Sequence, residues 1–312
     1  MHLYHKEEIL KIIDLPFFME EIEKGLVAFS QKKTILSPIG FLHFDHPVAD
    51  VHMKSGAMTE DDFYVVKIAS SFYENPKKGL PSSNGLMLLF SQKTGELLAI
   101  LMDEGLLTDI RTGLVGAIAA KYPANKEIHK IGVIGTGTQA KEQLRCLQYV
   151  TSCREVCVWG RNKKHAEALK NDPLLAAFHI SIASSIDQLA QECRLIVTTT
   201  PSSQPLLFGH QIFPGTHITA VGADGKGKQE IDASAFEKAD YICTDSYAQS
   251  LQYGDFSYVQ QPEKFKVLEL GNVISQPPIR NNDAITIADL TGVAITDLQI
   301  AKAALLKLCS FS

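Results

Sequence analysis

The chain lacks the features that mark several protein classes. Its six cysteines form no C-x-x-C pair, which argues against a common zinc or redox motif and is typical of thiols in a reducing compartment. No apolar run is long enough to span a bilayer, and the start, MHLYHKEEILKII, lacks the apolar core of a signal peptide. A net charge of −5 without a Lys/Arg cluster gives no general attraction to nucleic acid. We therefore expect a cytoplasmic protein with neither a nucleic-acid nor a membrane partner.

At 312 residues the chain is long enough for two domains with separate cores, and its apolar content of 45% is that of an ordinary globular protein. Helical spacing of apolar residues predicts an amphipathic helix over 16–31. Short apolar runs between turns follow from about 34 to 100, and they predict an antiparallel sheet with a hairpin turn at 92–96. An Ala-rich helix is predicted over 108–122. Thr108 or Asp109 is expected to cap it.

From residue 128 the pattern changes to strands that alternate with helices. Strands are predicted at 130–135, 155–159, 194–199, 217–222, 240–244 and 266–269. Such alternation indicates a doubly wound parallel sheet. The final segment, 287–311, is predicted to be one long amphipathic helix that packs on the first domain and makes that domain discontinuous.

A glycine motif follows the first strand of this second region. In KIGVIGTGTQAKEQLRCL, residues Gly135, Gly137 and Ala140 give G-x-G-x-x-A between an apolar strand and a helix. Backbone N–H groups and a helix N-terminus meet at such a turn and suit a pyrophosphate. An ordinary tight turn is the alternative, but the strand, the helix and the next strand favour dinucleotide binding, with Thr136 inside the turn.

The residues after the second strand indicate which dinucleotide is bound. NAD-specific sites usually carry Asp or Glu there, whereas this chain has Arg161 between Gly160 and Asn162. A guanidinium can pair with a 2′-phosphate, so NADP(H) is favoured and NAD(H) is the alternative. The alternative is that Arg161 faces solvent and contacts no cofactor. Thr199, in TTTPS after a later strand, is expected from its position to line the cofactor cleft.

Four charged residues stand in otherwise apolar surroundings. Lys54 and Lys67 lie in strand-like runs, Arg111 starts an apolar helix, and Asp224 follows a strand of the parallel sheet. Each taken singly is compatible with an edge position or with a side chain that reaches solvent. Spacing alone does not establish that they converge. Ser82, in GLPSSNG, is the serine expected to touch a substrate. The histidines of HFDH are interpreted as surface or hydrogen-bonded groups, with no metal site expected.

Four segments together resemble motifs of the ornithine cyclodeaminase/μ-crystallin family. They are LTDIRTG with the following alanine (107–117), GTGTQA (135–140), VGADGKGKQEID (221–232) and DLTGVAITDLQIA (289–301). They occur in the family's order and cover nearly the whole chain. The resemblance implies a discontinuous α+β substrate and dimerisation domain, 1–125 plus 290–312, into which a Rossmann domain, 126–289, is inserted. It also implies a homodimer.

The resemblance assigns roles residue by residue. Lys67 and Arg111 match the family's substrate-site cations, with Lys67 also a candidate proton donor, and Asp224 matches its catalytic aspartate. The expected cofactor contacts carried over in this way are Thr138, Gln139 and Lys228. Val221, at the end of a predicted strand, is a further expected cofactor contact.

One position departs from the family pattern. Many members hold the substrate carboxylate with an arginine that follows a proline in an early strand, where this chain offers Ile39 and Gly40. Lys54 is expected to supply the missing charge.

The resemblance implies an NAD(P)H-dependent oxidoreductase that acts on a C–N bond of a small amino or imino acid. Reduction of a cyclic imino acid of the Δ1-pyrroline-2-carboxylate type is the expected reaction. Ornithine cyclodeamination, alanine dehydrogenation and ligand binding without catalysis are the alternatives.

Overall fold

The structure is a computed structural model that describes residues 1–124, 127–279 and 281–310. The predicted domain boundary at 125 and 126 lies outside the described residues, as does residue 311 at the end of the predicted last helix. The predicted boundaries therefore stay a prediction.

The chain forms two compact units, Met1–Arg111 with Val293–Ser312, and Thr112–Gly292. The strands are β1 His2–His5, β2 Thr34–Leu36, β3 Gly40–Phe44, β4 Ala49–Met58, β5 Phe63–Phe72, β6 Ser83–Ser91, β7 Leu97–Met102, β8 Ile131–Ile134, β9 Glu155–Trp159, β10 His179–Ile182, β11 Leu195–Thr198, β12 His217–Ala220, β13 Tyr241–Thr244, β14 Val267–Glu269 and β15 Thr286–Asp289. The α-helices are α1 Lys6–Lys11, α2 Leu15–Ser30, α3 Leu106–Lys121, α4 Thr138–Leu147, α5 Lys163–Lys170, α6 Ile186–Glu192, α7 Ala233–Phe236, α8 Tyr247–Tyr253, α9 Leu270–Ser275 and α10 Ala294–Ser310. No α-helix in the described part of the chain is long and apolar enough to cross a membrane.

The first unit is built on one sheet with the order β1-β7-β6-β5-β4-β2, and β3 also pairs with β4. Neighbouring strands are antiparallel except for β1, which runs parallel to β7. The predicted antiparallel sheet and its hairpin turn between β6 and β7 are confirmed. The N-terminal strand β1 was not predicted.

Helix α10 packs on one face of this sheet, where it contacts β4, β5 and β6, and α2 packs on α10. The predicted amphipathic helix is confirmed, and Phe18, Ile22 and Leu26 of its apolar stripe are fully buried. Gly25 allows the two helices to come close, since a Cβ there would lie 2.6 Å from Gln299 Cγ.

Helix α3 begins earlier than the sequence indicates. The side chain of Asp103 caps its N-terminus, since Asp103 Oδ2 accepts a hydrogen bond from Leu107 N at 2.6 Å. The predicted caps, Thr108 and Asp109, are therefore wrong, and both lie inside the first turn of the helix. A turn with positive φ at Gly105 brings Asp103 to the helix start, and this backbone geometry has no period that a sequence pattern could reveal.

The second unit contains a parallel sheet with the order β10-β9-β8-β11-β12-β15-β13-β14. The chain starts in the middle at β8, moves outward through β9 and β10, and then returns to the other side of β8 with β11. This reversal is the topological switch point of a doubly wound fold, beside which such sheets bind ligands. The predicted Rossmann-type α/β class is confirmed.

Two strands of this sheet escaped the sequence analysis. β10 was not predicted, and β15 lies within the segment 287–311 that was predicted as a single helix. That prediction is wrong before residue 294, where α10 begins. β15 is fully buried between β12 and β13, and a short apolar run with both faces covered cannot be distinguished from helix by periodicity.

Candidate active site

Two buried lysines face each other in the first unit. Lys54 of β4 and Lys67 of β5 are direct partners in the antiparallel register, and their exposed fractions are 4% and 2%. Because side chains of directly opposed residues lie on the same face, both belong to the face that α10 covers. The sequence identified both residues but not their pairing.

A carboxylate from α10 completes this group. Asp297 is fully buried, its Oδ2 lies 3.2 Å from Lys67 Nζ, and its Oδ1 lies 2.9 Å from Arg111 Nε. We refer to Lys54, Lys67, Arg111 and Asp297 as the cation cluster. Asp297 was not singled out from the sequence, although an acidic residue within the apolar helix sequence AITDLQIA is the signal that could have revealed it.

The protonation equilibria of the cluster are strongly shifted. Burial lowers the pKa of Lys67 to about 7, with the positive charges of Arg111 and Lys54 acting in the same direction and Asp297 opposing them. Burial would raise the pKa of Asp297, but Arg111, Lys67 and Lys54 outweigh burial, and its pKa is lowered. The carboxylate is therefore ionised, and Lys67 is the group of this pair that titrates near neutrality. Burial also raises the pKa of Asp103, before α3, to about 6.

Ser82 occupies the loop immediately before β6 and is half-buried. Its carbonyl oxygen accepts a hydrogen bond from Phe72 N at 2.7 Å. The neighbouring Ser83 is the serine whose hydroxyl approaches α3, 3.5 Å from Asp109 Oδ2. Substrate contact by Ser82 stays a prediction.

The second unit has a cleft of about 590 Å³ at the switch point between β8 and β11. We call it the dinucleotide cleft. Its lining residues follow the ends of β8, β9 and β11, as the sheet topology requires. They are Gly135, Thr136, Gly137, Trp159, Gly160, Arg161, Asn162, His165, Thr199, Thr200, Pro201, Ser202, Ser203, Gln204 and Leu206.

The glycines of the turn fit a dinucleotide for different reasons. Gly135 has a φ of +128°, and a Cβ there would lie 2.3 Å from Thr199 Oγ1, so the backbone passes close to the next loop. A Cβ on Gly137 would meet no atom within 4 Å. Gly137 precedes the first turn of α4, whose N–H groups have no partners inside the helix and suit an anion. The open space above Gly137 is thus suited to a pyrophosphate.

The predicted cofactor residues divide into two groups. Gly135, Thr136, Gly137, Arg161 and Thr199 all line the dinucleotide cleft. The others do not line it: Thr138 and Gln139 begin α4, Ala140 is buried in that helix, Val221 follows β12, and Lys228 binds Asp224. Trp159, Asn162 and His165 line the cleft without having been predicted, and their position at or just after the end of β9 is the signal that identifies them.

Asp224 lies in the loop after β12, on the edge of the sheet where the strands end. Lys228 Nζ donates a hydrogen bond of 2.7 Å to its Oδ1. The predicted catalytic aspartate and the predicted cofactor contact Lys228 thus form an ion pair within one loop.

Glu230, in the same loop, was missed by the sequence analysis although it lies within the quoted segment VGADGKGKQEID. Its buried carboxylate accepts hydrogen bonds from Thr198 Oγ1 at 2.7 Å, Thr200 Oγ1 at 2.8 Å and Gly222 N at 2.8 Å. It therefore connects the loop after β11, which lines the cleft, with the loop that carries Asp224. Burial raises the pKa of Glu230 to about 7, against the opposing effect of these hydrogen bonds.

The described residues contain no group of three His, Cys, Asp or Glu side chains that could hold a metal ion. His43, from the HFDH segment, instead contacts Asp50, with 2.8 Å between Nδ1 and Oδ1.

Comparisons with known proteins agree with this fold and these motifs. A putative dehydrogenase of Rhizobium meliloti is 36% identical over 288 residues, which cover 90% of this chain and 87% of that protein. An archaeal alanine dehydrogenase dimer with bound NAD is 31% identical with a TM-score of 0.89, over 99% of this chain and 96% of that one. The Thermococcus litoralis Δ1-pyrroline-2-carboxylate reductase, in complex with NADH and L-proline, is 27% identical with a TM-score of 0.90, over 100% and 98%. The model of the ornithine cyclodeaminase/mu-crystallin family matches residues 3–307, and the chain therefore belongs to that family.

Proposed function

We propose that the protein is an NAD(P)H-dependent reductase that converts a small cyclic imino acid, of the Δ1-pyrroline-2-carboxylate type, to the cyclic amino acid. The observation that carries this proposal is the cation cluster. Lys54, Lys67 and Arg111 are buried close to one another around the Asp297 carboxylate, and such a group of cationic side chains suits the binding of an anion. The carboxylate of an imino acid is a suitable anion.

The residues of the chain have distinct proposed roles. Arg111 and Lys54 bind the substrate carboxylate, and Lys67 orients it or supplies a proton. Asp224 stabilises the protonated imine and exchanges protons with its nitrogen, while Lys228 holds the Asp224 carboxylate in place. The residues of the dinucleotide cleft would hold the cofactor, which when bound supplies the hydride for the imine carbon. A protonated imine is the better acceptor because its positive charge is neutralised as the C–H bond forms.

A panel of substrates tests this proposal. We expect stoichiometric NADPH or NADH oxidation with Δ1-pyrroline-2-carboxylate, monitored by the loss of nicotinamide absorbance. Ammonia release from ornithine with only catalytic NAD would instead identify a cyclodeaminase. A requirement for pyruvate and ammonia would identify an alanine dehydrogenase. Cofactor binding without turnover of any of these compounds would contradict an enzymatic role.

We further propose that the cofactor is NADP(H), whereas the neighbours described above bind NAD or NADH. Arg161 lines the cleft just after β9, where a 2′-phosphate would lie, and no acidic residue follows it before α5. Replacing Arg161 by serine should weaken NADPH binding by about tenfold or more, the loss expected for one charge-assisted contact, and change NADH binding little. Lys170→Ser, at the other end of α5, is the matched control. Equal loss for both cofactors would exclude this specificity.

A second copy of the chain is the proposed partner. The sheet face opposite to α10 carries largely apolar side chains that are half-buried or exposed: Met53, Val66, Ile68, Leu86, Leu88, Phe90, Ile100 and Met102. The archaeal neighbour is described as a dimer, which supports the same assembly here. Ile68→Asp should convert a dimer to a monomer in analytical ultracentrifugation, and Lys93→Asp, on the exposed hairpin, should not.

We also place the chain in the cytoplasm. All six cysteines are free, and five of them are buried, as is usual in a reducing compartment.

A further inference from the structure

The cation cluster contains three positively charged side chains and one carboxylate, and that carboxylate contacts two of them. Asp297 reaches Lys67 through one oxygen and Arg111 through the other, at 3.2 and 2.9 Å. Lys67 is on β5, Arg111 on α3 and Asp297 on α10, so one side chain fixes the relative position of two cations from separate elements. All three side chains are less than one tenth exposed.

The ion pairs do not use the full hydrogen-bonding capacity of the cluster. In the described part of the chain, Arg111 Nε and both Asp297 oxygens have no partner with hydrogen-bond geometry, so the pairs are held by charge rather than by aligned bonds. Asp297 contacts the Arg111 guanidinium at Nε. End-on bidentate pairing with a carboxylate uses the two terminal nitrogens instead.

We propose that Asp297 is a positioning residue of the substrate site, which holds Lys67 and Arg111 in the arrangement that receives the imino-acid carboxylate and keeps Lys67 positively charged. This inference rests on the proposed function. Asp297 itself need not touch the substrate. It acts through the two cations.

The charges around Lys67 explain the second part of this role. Lys54 faces it from β4, Arg111 from α3 and Asp297 from α10, and Asp103 interacts with it from the segment before α3. Burial and the two cations favour loss of the Lys67 proton, whereas Asp297 favours its retention. Without Asp297, Lys67 would become neutral at a lower pH and the site would lose a positive charge.

A double-mutant cycle tests the proposal with two readouts. The variants are Lys67→Met, Asp297→Asn, the double variant and Asp297→Glu. Binding of pyrrole-2-carboxylate, a planar carboxylate analogue, is measured by calorimetry with saturating cofactor, and kcat and KM are measured over about pH 5.5 to 9, which brackets the ordinary range of activity. Asp62→Asn, which removes the anion of an exposed Lys–Asp pair, is the matched control.

We expect Asp297→Asn to weaken binding of the analogue by about tenfold or more, as loss of a charged contact does. It should raise KM more than it lowers kcat. It should also move the alkaline limb of the pH profile, where Lys67 loses its proton, to lower pH. Asp297→Glu should restore part of the affinity. The affinity for NADPH should be unchanged. In the Lys67→Met background the effect of Asp297→Asn should shrink severalfold, since one of its two partners is gone.

Wild-type affinity and pH dependence in Asp297→Asn would overturn the proposal, as would independent effects of the two substitutions. If Asp297→Asn does not fold, the double variant, which loses a cation together with the anion, is compared with Lys67→Met. Weaker binding of the analogue by the double variant would support the proposal, and equal binding by the two variants would overturn it. If the wild type binds the analogue in an Asp297-dependent way but reduces no imino acid, the proposed function fails and the positioning role stands. If the wild type does not bind the analogue, the positioning role fails.

Discussion

Lys54 and Lys67 are direct cross-strand partners, both buried, on adjacent antiparallel strands. Like charges in this arrangement destabilise a sheet, because the side chains of opposed residues lie only about 5 Å apart at their Cβ atoms. A fold under selection for stability alone would favour an apolar pair here. The pair therefore supports the proposal that these lysines bind a substrate carboxylate.

Replacing Lys54 by methionine should separate the effect of this charge on stability from its effect on substrate binding. The variant keeps an unbranched apolar stem and loses the repulsion of Lys67 together with the attraction of Asp297, so we expect the free energy of unfolding to change by no more than about 1 kcal/mol. KM for the imino acid should rise by about tenfold or more as a charged contact is lost. Urea denaturation and steady-state kinetics measure the two quantities. Lys93→Met, at an exposed ion pair, is the control, and an unchanged KM in Lys54→Met would contradict the proposed contact.

The pKa of Lys67 gives opposite pH trends for stability and binding. In the folded chain it is about 7, against an ordinary value of 10.5, so between these two pH values the unfolded chain retains a proton that the folded chain has released. The free energy of unfolding should therefore rise with pH across this window, relative to a Lys67→Met variant. Carboxylate binding should weaken over the same interval because the cation is lost.

Urea midpoints of the wild type and Lys67→Met, compared at about pH 7 and pH 10, measure the first trend, and titration with pyrrole-2-carboxylate measures the second. The comparison with Lys67→Met cancels other titrating groups. A constant difference in unfolding free energy across the window would show that Lys67 does not titrate there.

The two glycines of the dinucleotide turn should respond differently to alanine. At Gly135 the positive φ and the contact of a Cβ with Thr199 predict a loss of about 1–3 kcal/mol in stability together with weaker cofactor binding. At Gly137 the Cβ enters open space, so the variant should fold with wild-type stability and still bind the cofactor at least about tenfold more weakly, because a methyl group occupies the pyrophosphate position.

Thermal unfolding and fluorescence titration with NADPH distinguish these outcomes. Wild-type cofactor affinity in Gly137→Ala would place the pyrophosphate elsewhere, and wild-type stability in Gly135→Ala would show that the turn relaxes.

Glu230 should control both the stability of the second unit and the shape of its cleft. Glu230→Gln replaces one acceptor by an NH₂ group that faces donors such as Gly222 N, so we expect a loss of about 1–3 kcal/mol and weaker NADPH binding. Glu237→Gln, an exposed neighbour, should change neither. Unaltered cofactor affinity in a destabilised Glu230→Gln variant would limit Glu230 to a structural role.

The same residue predicts a pH dependence of stability. Its pKa is raised from 4.5 to about 7 in the folded chain, so between these values the folded chain holds a proton that the unfolded chain has lost. This group therefore makes stability fall as pH rises from about 4.5 to 7, and that component should be absent in Glu230→Gln. Urea midpoints at both ends of the window, compared between wild type and variant, measure it.

The parts that sequence reasoning predicted are those with a local signal. Strands such as β8 and β11 are buried runs of apolar residues before turns. The glycines of the turn after β8 are recognised by their G-x-G-x-x-A spacing. Lys54 and Lys67 were identified because a charge interrupts an apolar strand. Their register, however, depends on how β4 and β5 align, which no pattern within either strand specifies.

Asp297 and Glu230 were missed for a related reason. Each occurs in a segment where one polar residue is ordinary, and each is distinguished only by partners far away in the chain. β15 was missed because four buried residues are too short a run to carry a period. The features that sequence reasoning missed are therefore determined by contacts between distant segments rather than by local preferences.

The position of β15 and α10 also has a consequence for biosynthesis. β15 fills the middle of the parallel sheet, and α10 covers the sheet of the first unit, so residues 286–310 complete both cores. A ribosome delivers these residues after the rest of both units. Until they emerge, the nascent chain carries two unfinished hydrophobic surfaces, and neither unit can close early and fold by itself as independent domains commonly do during translation. A premature stop codon before residue 286 would therefore leave both units incomplete.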